Sequence, residues 1–276
     1  MLADLHVHTY YSDGLMPPCE VVLKAKQNGV GLLAVTDHDC ALGYDEVKEN
    51  CDRLGVKTVG GIEVSAYFGD VKIHTLGYNF DTNKPEFQQF YKKLYEGSLK
   101  RAEDIISKLN KNGVGICFDE VDKQRKIKNA PVHGMHIARA LANKGYCNKN
   151  AFSVYSNYLA YGKCAYSCIC RPSPEEAIEV INACGGFTSL AHPGRIDMGK
   201  DELYNFIKRL KGAGLGGIEA VYSTHTVSDT AYYKEIAKDF GLIVTGGSDT
   251  HYDSGSRRIG TPSFCPDEEL AKALKI

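Results

Sequence analysis

Short apolar runs separated by amphipathic stretches of about ten residues recur through most of this chain, and that alternation restricts its fold more than any other feature. Strands are expected at residues 5–8, 31–36, 57–68, 72–79, 187–191, 217–221 and 242–245. Helices are expected at 17–27, 44–54, 174–184, 202–211 and 229–240. Pro17-Pro18 opens the first of them and Asn28-Gly29 closes it, while Gly55 and Gly185-Gly186 stop two others. Proline suits a helix's first turn and glycine the residue after its last. Strands joined through helices run parallel, because a parallel neighbour needs a long crossover. The runs 57–68 and 72–79 are joined instead by a turn at Gly69-Asp70. About seven such strands predict an α/β fold built on a closed or partly closed barrel.

Residues 84–165 break the pattern. They carry little strand signal, a long helical stretch over 85–112 and shorter helical pieces, including 136–144. Segments 1–83 and 166–276 are therefore expected to form the barrel, with 84–165 as a helical insertion of ordinary small-domain size. A chain of 276 residues with 43% hydrophobic content can bury a core of that extent. Its 33 Lys and Arg against 34 Asp and Glu leave a net charge of −1, which argues against coating a duplex with a basic surface. No apolar run reaches membrane-spanning length, and MLADLHVHTYYSDG has no basic stretch followed by an apolar one, so a cytoplasmic protein is expected. The ten cysteines are then expected to be reduced. Cys164, Cys168 and Cys170 have no C-x2-C pair and no obvious fourth ligand, and read as free buried thiols.

The chemistry lies in recurring histidine and carboxylate clusters. His6 and His8 stand two apart on a predicted strand, so they point to one face, and Asp13 follows in the next loop. Thr36-Asp37-His38-Asp39 ends the second strand, Glu63 ends Gly-Gly-Ile-Glu on the third, and His74 lies in the fourth. Ala191-His192-Pro193-Gly194 closes the fifth, and Ser248-Asp249-Thr250-His251 follows the last. A parallel barrel gathers its functional groups at the strands' C-terminal ends. Imidazoles with carboxylates suit divalent Zn, Fe or Mn.

In that order, H-x-H with a nearby Asp, T-D-H-D, G-I-E, an isolated His, A-H-P-G and S-D-x-H resemble the PHP (polymerase and histidinol phosphatase) family of metal-dependent phosphoesterases. The resemblance implies a distorted seven-stranded β/α barrel holding two to three divalent ions. It implies one ion on His6, His8, Glu63 and Asp249, and a second on His74 and His192 with Glu63 as a bridge. A third would lie on Asp13, His38 and His251. Such ions outweigh the three carboxylates, attract a phosphate dianion and generate hydroxide for in-line attack. Glu63 and Asp249 are thus catalytic candidates, with Asp39 as a proton donor to the leaving group. Asp37 and Asp39 are also candidates to orient a ligand histidine.

The segment PVHGMHIARALANKG (131–145) is similar to one PHP branch that dephosphorylates nucleoside 3′,5′-bisphosphates and trims short RNAs from the 5′ end. That branch commonly has Arg-Pro where this chain has Gly134-Met135. His136, Arg139 and Arg195 remain the candidate substrate contacts, and the tyrosines offer surfaces on which a base can stack. The expected partner is a small phosphorylated substrate, a nucleotide or short oligonucleotide, with no obligate protein partner. A histidinol-phosphatase-like enzyme fits less well because of the large insertion. A non-catalytic metal-binding module fits less well because every ligand position is filled, and a binuclear amidohydrolase because the motif context is closer to PHP.

Overall fold

Every residue of the strand Ala3–Val7 (β1) is buried, which a strand achieves only when both of its faces are covered. The computed structural model describes residues 1–252 and 257–276. β1 is followed by β2 (Leu32–Val35), β3 (Lys57–Phe68), β4 (Val71–Tyr78), β5 (Phe187–Leu190), β6 (Gly217–Tyr222) and β7 (Ile243–Gly247). These seven lie side by side in sequence order. The ring is drawn together where the His8 amide donates to Thr250 O (2.9 Å) and the Asp249 amide to His6 O (2.7 Å).

The helices are α1 (Pro18–Gln27), α2 (Tyr44–Leu54), α3 (Pro85–Lys111), α4 (Phe118–Asp122), α5 (Gly134–Asn143), α6 (Ala151–Val154), α7 (Pro174–Ala183), α8 (Lys200–Gly212), α9 (Val227–Phe240) and α10 (Glu268–Ala273). Their ends follow local chemistry. Pro18 occupies the first turn of α1, and Gly55 adopts a left-handed conformation (φ 66°) that ends α2. Thr226 and Asp229 cap α9 reciprocally, so that helix starts two residues before its apolar pattern suggests. Val21, Val22 and Ala25 of α1 pack on Leu33 and Val35 of β2, the outer layer expected of a barrel. Leu5 and Leu32 are fully buried in a further apolar cluster, and trimming either to Ala should cost about 2–5 kcal/mol. Between β4 and β5, Ile105 and Leu109 of α3 meet Ile137 and Leu141 of α5 and Val154 of α6 in an apolar cluster of their own. Among the described residues no helix is long and apolar enough to cross a membrane.

The parallel arrangement holds for β1–β3 and β5–β7 but not for β4, which is antiparallel to both neighbours. The tight turn containing Gly69 (φ 59°) reverses the chain without a crossover, and that reversed strand distorts the barrel. A second correction follows. Glu63 sits in the middle of a twelve-residue strand and His74 in the middle of β4, not at strand ends. β2 pairs with β3 only as far as Gly60, and beyond it β3 and β4 continue as a hairpin with Ser65 opposite His74. The hairpin therefore carries its ligand-type residues on a wall that stands past the end of β2.

Candidate metal centre

β1 and β7 approach closely enough to share one group of side chains, because a Cβ on Gly247 would collide with the Cβ of His6. The pairing of β1 with β2 also slips between Asp4 and Val7, an irregularity of the kind that re-aims side chains at active sites. His6 Nε2 and His8 Nε2 each stand 3.2 Å from Glu63 Oε2, and 3.6 and 3.3 Å from Asp249 Oδ1. The other Glu63 oxygen, Oε1, lies 2.6 Å from His74 Nδ1 and 3.0 Å from His192 Nε2. His251 Nε2 is 3.1 Å from Asp13 Oδ1, and the His8 and His251 rings stack with centroids 4.0 Å apart. All nine residues that the sequence singles out as ligands thus converge on one site. His38 differs from its expected grouping: its Nδ1 is 3.0 Å from Glu63 Oε2, so it faces both Asp13 and the Glu63–His74 group.

Several of these atoms lack a hydrogen-bond partner although they are buried, among them His6 Nε2, His8 Nε2, His38 Nδ1, Glu63 Oε2 and Asp13 Oδ1. Buried polar atoms are normally satisfied, so a cluster of orphans aimed at common points needs an explanation. Ligands held about 2.0–2.2 Å from one ion sit about 3–3.5 Å from each other, which is the spacing observed. The groups His6–His8–Glu63–Asp249, His8–Asp13–His38–His251 and His38–Glu63–His74 could each hold a divalent ion. Burial opposes ionisation of Glu63, but His38, His74 and His6 outweigh it and hold the carboxyl well below the usual carboxylate range. Burial likewise opposes the charge on His8, yet Asp249 and Glu63 push it up to about 9.

The supporting contacts correct two expectations. Asp37 orients no histidine; it accepts from the Thr9 amide (2.8 Å), the Thr9 hydroxyl (2.6 Å) and the Ser12 hydroxyl (2.6 Å), which fixes the loop carrying Asp13. Asp39 is fully buried, with Oδ1 accepting from the Ser65 amide at 2.7 Å and Oδ2 from Arg171. Both oxygens are engaged, an ion-paired position and not that of a proton donor. The residue that orients the histidines is Glu219, which sequence reasoning missed. Its Oε1 lies 2.9 Å from His6 Nδ1, and its Oε2 accepts from the His192 amide at 2.7 Å. A signal was present: Gly-Gly-Ile-Glu occurs twice, at 60–63 and 216–219, each time on a strand.

The candidate substrate contacts divide. Arg195 donates to Tyr222 Oη (3.0 Å) and Asp249 Oδ2 (3.1 Å) beside a cavity of about 660 Å³. Arg139 also lines that cavity and donates to the Asp13 carbonyl. His136 does not line it. Its Nδ1 accepts from the His133 amide at the start of α5, and its Nε2 bonds Ser12 O at 2.9 Å, so both ring nitrogens are committed to backbone. His133, unassigned from sequence, does line the cavity, with Nε2 unpartnered. His225 does not line the cavity; its Nε2 accepts from the Gly194 amide at 3.2 Å, which steadies the turn bearing Arg195. All ten cysteines are free, but Cys164 and Cys170 are exposed and Cys168 half-buried, so the expectation of buried thiols fails there. Those three lie where the chain leaves the insertion, a stretch of turns that packs few side chains inward.

Residues 4–115 match the PHP domain family. Over 265 residues, 95% of this chain and 92% of the relative, it is 34% identical to a 3′,5′-nucleoside bisphosphate phosphatase of Chromobacterium violaceum. A 5′-3′ exoribonuclease of Haemophilus influenzae is 31% identical over 93% of this chain and 92% of its own length. A phosphoribosyl 1,2-cyclic phosphate 1,2-diphosphodiesterase of Eggerthella lenta is 33% identical over 91% and 94%. Among solved structures, a C. violaceum protein described as an amidohydrolase, with bound sulfate and no metal, superposes with a TM-score of 0.88 at 31% identity. That match covers 99% of this chain and 95% of the other.

Proposed function

Because the chain belongs to the PHP family, we propose that it is a metal-dependent phosphoesterase removing a terminal phosphate from a nucleoside 3′,5′-bisphosphate or short oligonucleotide. One observation carries the reading: the two oxygens of Glu63 are shared among five imidazoles, of His6, His8, His38, His74 and His192, in a buried cluster with unpartnered atoms. His6, His8, Glu63 and Asp249 would hold one divalent ion, Glu63, His74 and His192 a second, and Asp13, His38 and His251 a third, with Mn, Fe or Zn each suited to this donor set. Divalent ions there supply positive charge for the phosphoryl oxygens and acidify water for attack.

The protein's own groups do the rest. Arg195 and Arg257 crowd the second oxygen of Asp249, and their guanidinium edges offer donors to a phosphate approaching the cluster. Tyr222 Oη donates to the same oxygen at 2.7 Å and keeps Asp249 from rotating away. Segment 84–165 serves as a cap: α5 holds the Asp13 loop through His136 and Arg139, so insertion and barrel enclose one cavity. At its mouth Leu15, Phe152 and Tyr252 expose apolar faces on which a nucleobase can rest, the two rings 6.0 Å apart.

The test is phosphate release by protein reconstituted separately with Mn, Fe and Zn. The panel is adenosine 3′,5′-bisphosphate, 5′-phosphorylated dinucleotides, nucleoside monophosphates, histidinol phosphate and a ribose 1,2-cyclic phosphate. Release from the bisphosphate or the dinucleotide above the others is expected. No release from any of them with any metal defeats the reading, and preferred cleavage of histidinol phosphate or the cyclic ester replaces its substrate.

A further inference from the structure

Beside the metal centre, the same cavity is lined by cations from β4, α3 and the stretch before α7 that the metal centre does not use. Arg101 of α3 is only 8% exposed, and its one hydrogen bond is a long one, 3.5 Å, to Val132 O. Its Nε has no partner, and no carboxylate of the described residues lies within ion-pair distance. Arg171 pairs with Asp39, but its own Nε is also buried and unpartnered. Lys72, on the outward-reaching β4 strand, joins both in lining the cavity, and the Tyr155 ring lies among them. The charges act on one another: burial, then Arg171, pushes Arg101 down to about 10, and Lys72 with both arginines holds the Tyr155 phenol below its ordinary range.

Three cations, two buried guanidinium groups and the exposed Lys72, against the single carboxylate of Asp39 leave an excess of positive charge along this wall. A buried charge without a counter-ion is costly, and proteins keep such a group where a ligand completes it. Two guanidinium forks and a lysine lining one cavity match an anion with several oxygens that accept more than one donor at once. Arg195 and Arg257 stand apart from this group, since both pair with Asp249 of the metal-competent cluster itself.

We propose that Lys72, Arg101 and Arg171 form a second anion site, distinct from the metal ligands, that takes a second phosphate of the substrate while the first lies at the metal centre. This deepens the functional reading above and rests on it for the identity of the substrate. A second phosphate has two sources with the same chemistry, the other monoester of a nucleoside bisphosphate or the first internucleotide diester of an oligonucleotide. The site selects substrates with two phosphates over those with one. It also gives Arg101 an unusual sign: the residue destabilises the ligand-free protein and stabilises the complex.

The experiment uses Arg101→Met and Lys72→Met in the metal-loaded enzyme. It compares kcat/KM for adenosine 3′,5′-bisphosphate with that for adenosine 3′-monophosphate and 5′-monophosphate. It also compares a 5′-phosphorylated adenylate dinucleotide with 5′-AMP. Each ratio of two-phosphate to one-phosphate substrate is expected to fall about tenfold or more. A fall confined to the bisphosphate, or to the dinucleotide, identifies which source the site serves. In anion-free buffer the Arg101→Met protein is expected to melt higher than wild type, whereas a purely structural arginine would melt lower on removal. As a readout independent of turnover, chelator-stripped wild-type protein is expected to gain more thermal protection from adenosine 3′,5′-bisphosphate than from 5′-AMP, with the difference lost in both variants. Unchanged ratios, or a lower melting point with equal loss on every substrate, overturn the proposal. If no substrate turns over yet the thermal difference survives, the functional reading fails and the anion site stands.

Discussion

The two walls of the cavity carry charge in opposite states of compensation. On the barrel side, Glu63, Asp249 and Asp13 each face two or more histidines, and Glu219 and Tyr222 hold the outer edges of that cluster. On the insertion side, Arg101 faces another arginine and one distant carbonyl. The difference shows how a cation site and an anion site are built side by side. Protein groups alone nearly neutralise the first, whose remaining unpartnered atoms converge at the spacing an ion sets. The second is left unneutralised, with room for an oxyanion.

Glu63→Gln would break this contrast most severely, because it removes the charge that five imidazoles share. Bound metal should be lost and phosphate release should drop by at least about a thousandfold; metal analysis of the purified variant alongside turnover checks both, and retention of either contradicts the assignment. Glu219→Gln should act one step removed, through the orientation of His6 and His192. A loss of about 10–100-fold in metal affinity or activity is expected, read from metal titration, and wild-type affinity would show that the contact does not matter. Removing metal with a chelator should lower the melting temperature. An ion present at a hundred times its Kd contributes about 2.7 kcal/mol, so a melting point indifferent to chelation would mean that the barrel wall is complete without a cation.

Smaller effects probe the seam between the walls. His136→Ala frees both the start of α5 and Ser12, and should cost about 0.5–2 kcal/mol in urea unfolding, as loss of a helix cap does. A larger drop in metal content than in stability would show that His136 mainly positions Asp13. The triple change of Cys164, Cys168 and Cys170 to Ser should stay within about 0.5 kcal/mol, since the thiols are exposed or half-buried and unbonded to each other. Loss of metal from that variant would reveal a site the geometry does not show.

Legibility followed the same division. Most of the candidate ligand residues could be read because they fall in short motifs beside strands: H-x-H, T-D-H-D, A-H-P-G and S-D-x-H all name their own neighbours. Glu63 and His74 were placed within their strands, but alternation of apolar residues does not show where one strand outlasts its partner, so the hairpin wall that carries them past β2 was not legible. Arg101 left a weaker trace. It stands on the buried face of α3 in line with Phe87, Phe90, Leu94 and Ile105, where an arginine is out of character. Asp39 and Asp37 flank a ligand histidine and invited an orienting role, yet their partners come from loops at Thr9, Ser12 and Arg171 that no spacing rule links to them.

By itself the sequence determined the alternation of strand and helix, the inserted helical segment and the inventory of metal-competent side chains, because these depend on periodicity and residue type within a few positions. Only the tertiary structure decided that β4 runs backward, that Glu219 orients two histidines, that His136 serves backbone, and that three cations meet behind the metal centre. Those facts depend on which distant segments come within about 3 Å of each other. Strand register and helix docking set such distances, and neither is encoded in the spacing of any one motif.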